Sequence, residues 1–197
     1  MAMAQTKYIH VSFDVVDTFK PRVPKSRIEG EDDTIPRICV SNRILDCVNA
    51  MPSGPETIQA MQQLGLPAII HAYYMQAQEI WNTEAIIQYV PDARCYGESW
   101  VRTVPTHVHR VDYQVLEPQF YQTKTGPLRL LGAQFKRRPF SDNVTRLADL
   151  FRLHDSSTFA RLMRKYGYAK VMFNLKDEFL RLLDTKTESQ EKELNHG

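Results

Sequence analysis

A proline-punctuated segment separates the first two strand-like stretches of this chain. Pro21, Pro24 and Pro36 exclude a continuous helix across residues 18–36, because proline lacks the backbone N–H and clashes with the preceding turn. The segment therefore has to run as an extended loop, over the surface or along a cleft. Long connections without regular structure are commonly functional, so we expect a ligand site beside this loop.

Strand-like and helix-like segments alternate around the loop and predict an α+β fold. Runs of β-branched and aromatic residues predict strands, and apolar residues at helical spacing predict helices. Strands or extended segments are predicted at residues 8–16, 37–41, 68–74, 84–89, 98–103 and 107–116, and early helices are predicted from Asn42 and over 55–64. Residues 120–140 mix glycine and proline with apolar residues and are assigned only as loop or short strand.

The last third of the chain changes to a helical pattern. Apolar residues recur at helical spacing from Val144 to Phe151 and from Phe159 to Tyr166, and a final helix is predicted after Asn174. The polar, aperiodic residues 185–197 predict a disordered tail. We therefore expect a single domain over residues 1–184. It would contain a split or strongly bent sheet, mixed or antiparallel, with flanking helices and a helical C-terminal third.

Composition predicts a soluble cytoplasmic protein. The chain is 43% hydrophobic and 24% charged, as expected of a globular domain, and it contains no apolar run long enough to cross a bilayer. Cys39, Cys47 and Cys95 form no CxxC pair, so we expect reduced thiols. The net charge of +2 is too small to indicate nucleic-acid binding by itself. No membrane partner is expected, and the sequence does not indicate an oligomeric state.

The densest set of ligand-binding side chains lies near the N-terminus. His10 and Ser12 are two residues apart on the first predicted strand, so both face one side of it. Arg22, Arg27 and Arg37 lie on or beside the proline loop, and guanidinium groups bind phosphates through paired hydrogen bonds. These residues predict a site for a ligand carrying a pyrophosphate. In the alternative interpretation, His10 is satisfied within the sheet and the arginines pair with the acidic residues of the same loop, Glu29, Glu31, Asp32 and Asp33.

Three motifs in this half of the chain resemble a known superfamily. The His-Val-Ser start, the Pro-Arg-Val-Pro loop and the strand-to-helix passage over 37–50 resemble the nucleotide-binding front half of the ADP-ribosyltransferase-like superfamily, which includes RNA 2′-phosphotransferases and rifampin ADP-ribosyltransferases. The resemblance covers residues 8–50 and 96–116, and it implies NAD as the cofactor. It also implies that His10 and Ser41 line the nucleotide site.

The late acidic position of that superfamily corresponds to Glu98, in the sequence Tyr-Gly-Glu-Ser-Trp-Val. The resemblance implies that Glu98 orients a ribose hydroxyl or activates the acceptor as a base. The implied reaction is transfer of ADP-ribose to a host protein or nucleic acid. The alternative is that Glu98 is a surface carboxylate at a strand edge.

Two further functions stay open at this point. The N-terminal block also resembles small uncharacterised phage and prophage proteins, which implies a location in the host cytoplasm. A non-catalytic phage protein could bind a host protein or a signalling nucleotide and so inhibit an antiviral defence. An RNA-binding module is the third possibility, since Lys136, Arg137 and Arg138 form a basic run next to Phe135.

A metal site is not predicted. His107 and His109 place two imidazoles on one face of a strand, a spacing that suits a metal ion if His71 or a carboxylate joins them. No third ligand is evident in the sequence.

Overall fold

A computed structural model describes residues 8–63 and 67–137 of the chain. Apart from Phe13–Val15, these residues belong to one compact unit. Its elements are β1 (Tyr8–Ser12), β2 (Ile38–Val40), α1 (Ile44–Ala50), α2 (Gly54–Gln63), β3 (Ala68–Gln76), β4 (Ile80–Trp81), α3 (Thr83–Ile86), α4 (Ala93–Tyr96), β5 (Ser99–Val101), β6 (His107–Tyr121) and β7 (Arg129–Arg137).

The strands form two antiparallel sheets, which confirms the predicted α+β fold with a split sheet. The large sheet has four strands in the order β1-β3-β6-β7, and the small sheet has three in the order β2-β5-β4. The two sheets meet where Ile9 of β1 and Ser41, just after β2, exchange backbone hydrogen bonds of 2.8 and 2.9 Å. A strand from each sheet therefore lies at this junction.

A shared apolar cluster fills the space between the sheets. Ile38, Val40 and Val101 come from the small sheet, and Tyr73 and Met75 come from β3 of the large sheet. Each is buried, and burying one such side chain stabilises a fold by about 1.5–3 kcal/mol. The cluster explains why β3 is buried along most of its length, instead of alternating between core and solvent.

Helices α1 and α2 cover the opposite side of the large sheet. Val48 of α1 and both Ile58 and Met61 of α2 are almost completely buried. Asn49 joins α1 to the edge strand β7, because its side-chain amide donates to the Leu130 carbonyl at 2.9 Å and accepts from the Leu130 N–H at 2.8 Å. The helix is thereby fixed to the far side of the sheet.

Two segments differ from the sequence prediction. Residues 84–89 were predicted to be extended, but α3 covers Thr83–Ile86, because Asn82 caps this turn by accepting from the Ala85 N–H at 3.0 Å. In the unassigned region, β6 continues to Tyr121 and β7 covers Arg129–Arg137. The pairing of these two strands is irregular near Gly132, which explains why the sequence pattern was weak there.

Several predictions fall wholly or partly outside the described residues. The helices predicted after residue 143, the single domain over 1–184 and the disordered tail over 185–197 stay predictions. Within the described residues, no helix is both long and apolar enough to cross a membrane.

Candidate functional site

The junction of the two sheets brings together three of the predicted site residues. His10 lies on β1, Ser41 directly follows β2, and Glu98 directly precedes β5. The Cys39 carbonyl accepts a 2.9 Å hydrogen bond from Nδ1–H of His10, the Cys39 thiol donates to Glu98, and Ser41 pairs with Ile9 beside His10. Segments that are far apart in the sequence therefore converge on one strand of the small sheet.

His10 is held in one orientation and one tautomer. Because Nδ1 donates to the Cys39 carbonyl, the neutral ring keeps its lone pair on Nε2. Burial lowers the pKa of His10, and the positive charge of Arg22 lowers it further. The imidazole is therefore a neutral hydrogen-bond acceptor near pH 7. Its ring lies in an aromatic group, with its centroid 5.4 Å from that of Phe19 and 6.4 Å from that of Tyr73.

Glu98 is buried and is not the surface carboxylate of the alternative interpretation. Its side chain accepts a 2.8 Å hydrogen bond from the Trp100 indole N–H and another from the Cys39 thiol. Burial nevertheless raises the pKa of Glu98, because desolvation of the charged form outweighs both hydrogen bonds. The preceding Gly97 has a φ of +54°, a left-handed conformation that ends α4 and turns the chain toward β5.

The hydroxyl of Ser41 ties the junction to α4. Ser41 is buried, and its Oγ donates to the carbonyl of Tyr96 at 3.1 Å. The backbone of Ser41 is also fixed, through its paired hydrogen bonds with Ile9. The Ser41 Oγ therefore keeps the capacity to accept a further hydrogen bond.

Arg37 is a structural residue in this fold. Its guanidinium forms an ion pair with Glu31, donates to the Asp32 carbonyl at 2.9 Å and lies 4.2 Å above the Trp100 ring. The Arg37 side chain has no exposed surface. The expectation of three unpaired arginines therefore fails for Arg37, which forms the ion pair described by the alternative interpretation.

Arg22 and Arg27 differ from Arg37 in being exposed. Arg22 pairs with Arg37 only through the backbone, with hydrogen bonds of 2.9 and 3.2 Å. Its guanidinium is close enough to His10 to affect the pKa of that residue. Arg27 donates to the carbonyl of Pro24 within its own loop. Of the three predicted phosphate ligands, Arg22 is therefore the exposed one whose charge acts on His10.

Ser12 lies on the same face of β1 as His10, opposite His71 on β3. His71 donates from Nδ1 to Asp112 at 2.6 Å and has no exposed surface. His71 is therefore buried within the large sheet, whereas His107 and His109, its suggested partners in a metal site, are exposed on β6. The described part of the chain contains no group of three or more side chains that could hold a metal ion.

The sequence reasoning missed four residues at the junction. Cys39 and Trp100 are cross-strand partners on β2 and β5, and both contact Glu98. Phe19 and Tyr73 pack against His10. One signal for Phe19 was present, because it is the one aromatic residue in the loop over 18–36.

Comparisons with protein-family models, with curated proteins and with solved structures found no significant match. The resemblance to ADP-ribosyltransferase-like proteins stays a prediction based on the motifs described above.

Proposed function

We propose that this protein binds NAD or a closely related nucleotide where its two sheets meet, and that it transfers ADP-ribose from NAD to a macromolecular acceptor. The observation that supports the proposal is that His10 and Glu98 both hydrogen-bond Cys39, through its carbonyl and its thiol, while Ser41 pairs with Ile9, the neighbour of His10. These are the residues that the superfamily resemblance assigned to the nucleotide site.

Each residue has a role that suits its surroundings. The Nε2 lone pair of His10 accepts from a ribose hydroxyl, and Ser41 offers a second acceptor nearby. Arg22 is exposed and its charge acts on His10, so we assign it to the pyrophosphate. Arg37 has no such role, because it is committed to Glu31 and Asp32.

Glu98 supplies the general base. The bond between nicotinamide and the anomeric carbon of the ribose breaks, and neutral nicotinamide leaves with the electron pair. The acceptor atom forms the new bond to that carbon, and its proton passes to the Glu98 carboxylate. A raised pKa makes Glu98 a stronger base than an ordinary carboxylate, since a base works best when its pKa lies close to the operating pH.

A transfer assay with a matched pair of variants tests the proposal. Glu98 and Glu79 each lie two residues before a tryptophan and accept from its indole N–H, but only Glu98 is buried at the junction. The protein is incubated with NAD labelled in the adenylate and with cell lysate. We expect label on protein or nucleic acid with the wild type and with Glu79→Gln, and loss of label with Glu98→Gln and His10→Ala. Equal labelling by Glu98→Gln and Glu79→Gln would contradict the role of Glu98.

A second function is favoured by one observation. The Glu98 carboxylate already accepts hydrogen bonds from Trp100 and Cys39. Such bonds are typical of a residue that stabilises a site without taking part in a reaction. The chain would then bind a signalling nucleotide or a host protein without catalysis and so inhibit an antiviral defence. A thermal-shift screen with NAD, ADP-ribose and cyclic nucleotides separates these cases, since a ligand that binds the native state raises the melting temperature. Stabilisation by a cyclic nucleotide without transfer from NAD would favour the second function.

A further inference from the structure

The outer edge of the large sheet carries backbone groups that no described strand pairs. Strand β7 is the last strand in the order β1-β3-β6-β7, so β6 is its one neighbour in the sheet among the described residues. In an antiparallel sheet, the backbone N–H and C=O of one residue point to one side of the strand, and those of the next residue point to the other side. Half of the β7 backbone therefore points away from the sheet.

The register identifies the residues of β7 that point outward. The backbone of Ile9 is bonded to Ser41, so the backbone groups of its cross-strand partner Tyr74 point toward β6. Tyr74 lies opposite His109, whose backbone groups point back toward β3. The direction alternates along this regular part of β6, so the backbone groups of Gln114 point toward β7 instead.

The same alternation continues on β7. Gln114 lies opposite Lys136, so the backbone of Lys136 points toward β6, and the backbone of Gln134 does so as well. The residues between and beside them, Ala133, Phe135 and Arg137, therefore point their backbone groups outward. Within the described chain, these outward groups form no hydrogen bond.

Asn49 shows where the open edge ends. Its side-chain amide pairs with the N–H and the C=O of Leu130, at 2.8 and 2.9 Å, as a residue of a neighbouring strand would. The irregular pairing near Gly132 separates this position from the regular ladder that begins at Ala133. The open part of the edge therefore runs from Ala133 to Arg137, and its outward groups recur at every second residue, which is the spacing that an added strand requires.

The charged side chains along this edge are basic. Lys136 and Arg137 are exposed, and within the described residues neither forms an ion pair. Strand β7 contains no acidic residue. Opposite charges on neighbouring strands stabilise their pairing, and like charges destabilise it. A second copy of β7 on this edge would place the basic side chains of the two copies near each other, so an acidic strand of another protein is the better-matched partner.

We propose that the outer edge of β7, from Ala133 to Arg137, binds an extended acidic segment of a partner protein, which adds to the large sheet as a further strand. The outward backbone groups of this edge supply the hydrogen bonds, and Lys136 and Arg137 select acidic side chains. The same two charges oppose pairing with a basic strand, as charged residues on edge strands generally do. The proposal depends neither on nucleotide binding nor on transfer from NAD.

Two synthetic peptides serve as probes of the full-length protein. Both have about eight residues, alternate valine and threonine, and end in a pair of charged residues, glutamates in the acidic probe and lysines in the basic probe. Fluorescence anisotropy measures binding, and hydrogen exchange followed by NMR reports on each amide of β7. At about ten times its Kd, we expect the acidic probe to slow exchange about tenfold at the outward amides of Ala133, Phe135 and Arg137. The amides of Gln134 and Lys136 are directed at β6 and serve as internal references.

Three variants separate binding at the edge from a general effect of charge. Lys136→Glu should weaken binding of the acidic probe about fivefold and strengthen binding of the basic probe. Lys124→Glu makes the same change at the exposed turn between β6 and β7 and should leave both affinities unchanged. Ala133→Pro keeps every charge but removes one outward N–H, a change that edge strands tolerate, and should also weaken binding of the acidic probe. The melting temperature of each variant shows whether it is folded.

Three results would overturn the proposal. If the acidic probe does not slow exchange at the outward amides, or if Lys136→Glu and Lys124→Glu affect it equally, the basic residues only protect the edge from pairing. Slower exchange at the same amides as the protein concentration rises, without any probe, would assign the edge to a second copy of the chain. If the acidic probe has no effect and an RNA oligonucleotide binds through Lys136, the basic residues contact phosphates instead.

Discussion

Arg37 carries a positive charge into a region from which water is excluded. The cost of removing a guanidinium from water is offset here by Glu31, by two backbone carbonyls and by the Trp100 ring. The same contacts fix the distal half of the proline loop to the small sheet. This arrangement makes Arg37 a contributor to stability, in contrast to Arg22, whose side chain is exposed.

The Arg37→Met variant should therefore be strongly destabilised. Loss of the guanidinium leaves Glu31 poorly solvated and without its charge partner, and breaking such a pair costs about 3 kcal/mol. The measurement is urea unfolding followed by tryptophan fluorescence. Arg22→Met is the matched control and should change the free energy of unfolding by less than about 0.5 kcal/mol. Equal losses in the two variants would contradict the structural role of Arg37.

Glu98 should give the protein a pH-dependent stability of unusual sign. Burial raises the folded-state pKa of Glu98 above its ordinary value of 4.5. Above pH 4.5 and up to the raised pKa, the folded state binds more protons than the unfolded state. The contribution of Glu98 to the free energy of unfolding therefore falls as pH rises through this range. Glu98→Gln removes this titration and keeps an acceptor for Trp100. The free energy of unfolding of Glu98→Gln, taken relative to that of the wild type, should therefore increase between pH 4.5 and pH 7.

Urea unfolding of both proteins at the two pH values measures this effect. Glu79→Gln is the control and should follow the wild type, because the Glu79 side chain is exposed. A stability difference between the wild type and Glu98→Gln that does not change with pH would show that Glu98 is not desolvated as described.

At the scale of the elements, Asn49 links α1 to β7 across the large sheet. Its amide makes two hydrogen bonds to the backbone of Leu130, which lies on the last strand of the sheet order. Asn49→Ala should cost about 1–3 kcal/mol, because it leaves a backbone donor and acceptor without partners. Hydrogen exchange at the Leu130 amide should accelerate by more than at amides of β3. Asn42→Ala, at an exposed position near the start of α1, is the control.

The regular elements could be predicted from the sequence where one physical signal dominated. Alternation along residues 107–116 predicted β6 correctly, and Pro55 marked the beginning of α2. Where local signals conflict, prediction failed. Residues 84–89 contain enough apolar residues to suggest a strand, yet the Asn82 cap and burial of Ile86 against Trp100 select a helical turn.

The candidate site residues were selected from motifs, and the sequence could not predict the contacts that they make. His10, Ser41 and Glu98 lie on segments that meet at the junction, but their side chains bond to different partners, Cys39 for His10, Tyr96 for Ser41, and Trp100 for Glu98. Sequence reasoning could not decide between ligand binding and ion pairing for Arg37, because both use the same charges. Only the position of Glu31 beside a completely buried guanidinium decides it. The position of Phe19 against His10 likewise depends on the path of the loop, which no periodic pattern encodes.

At the scale of the molecule, the two sheets depend on each other for their core. Tyr73 belongs to the large sheet but packs with Ile38, Val40 and Val101 of the small one, and its hydroxyl holds the Val16 N–H. The small sheet has only short strands, so it lacks a core of sufficient size for independent stability. The two sheets should therefore unfold in a single transition.

Both tryptophans of the chain lie in the small sheet, so their fluorescence reports on it separately from the large sheet. Hydrogen exchange of β3 amides, measured at the same urea concentrations, reports on the large sheet. We expect coincident midpoints in the wild type.

Tyr73→Ala should lower both midpoints together, with a loss of about 3–5 kcal/mol, because it leaves a cavity between the sheets. Tyr73→Phe should cost only about 1 kcal/mol, the contribution of one hydrogen bond. If Tyr73→Ala shifted the fluorescence transition and left exchange from β3 unchanged, the sheets would be independent, and a site at their junction could not be held by the fold as a whole.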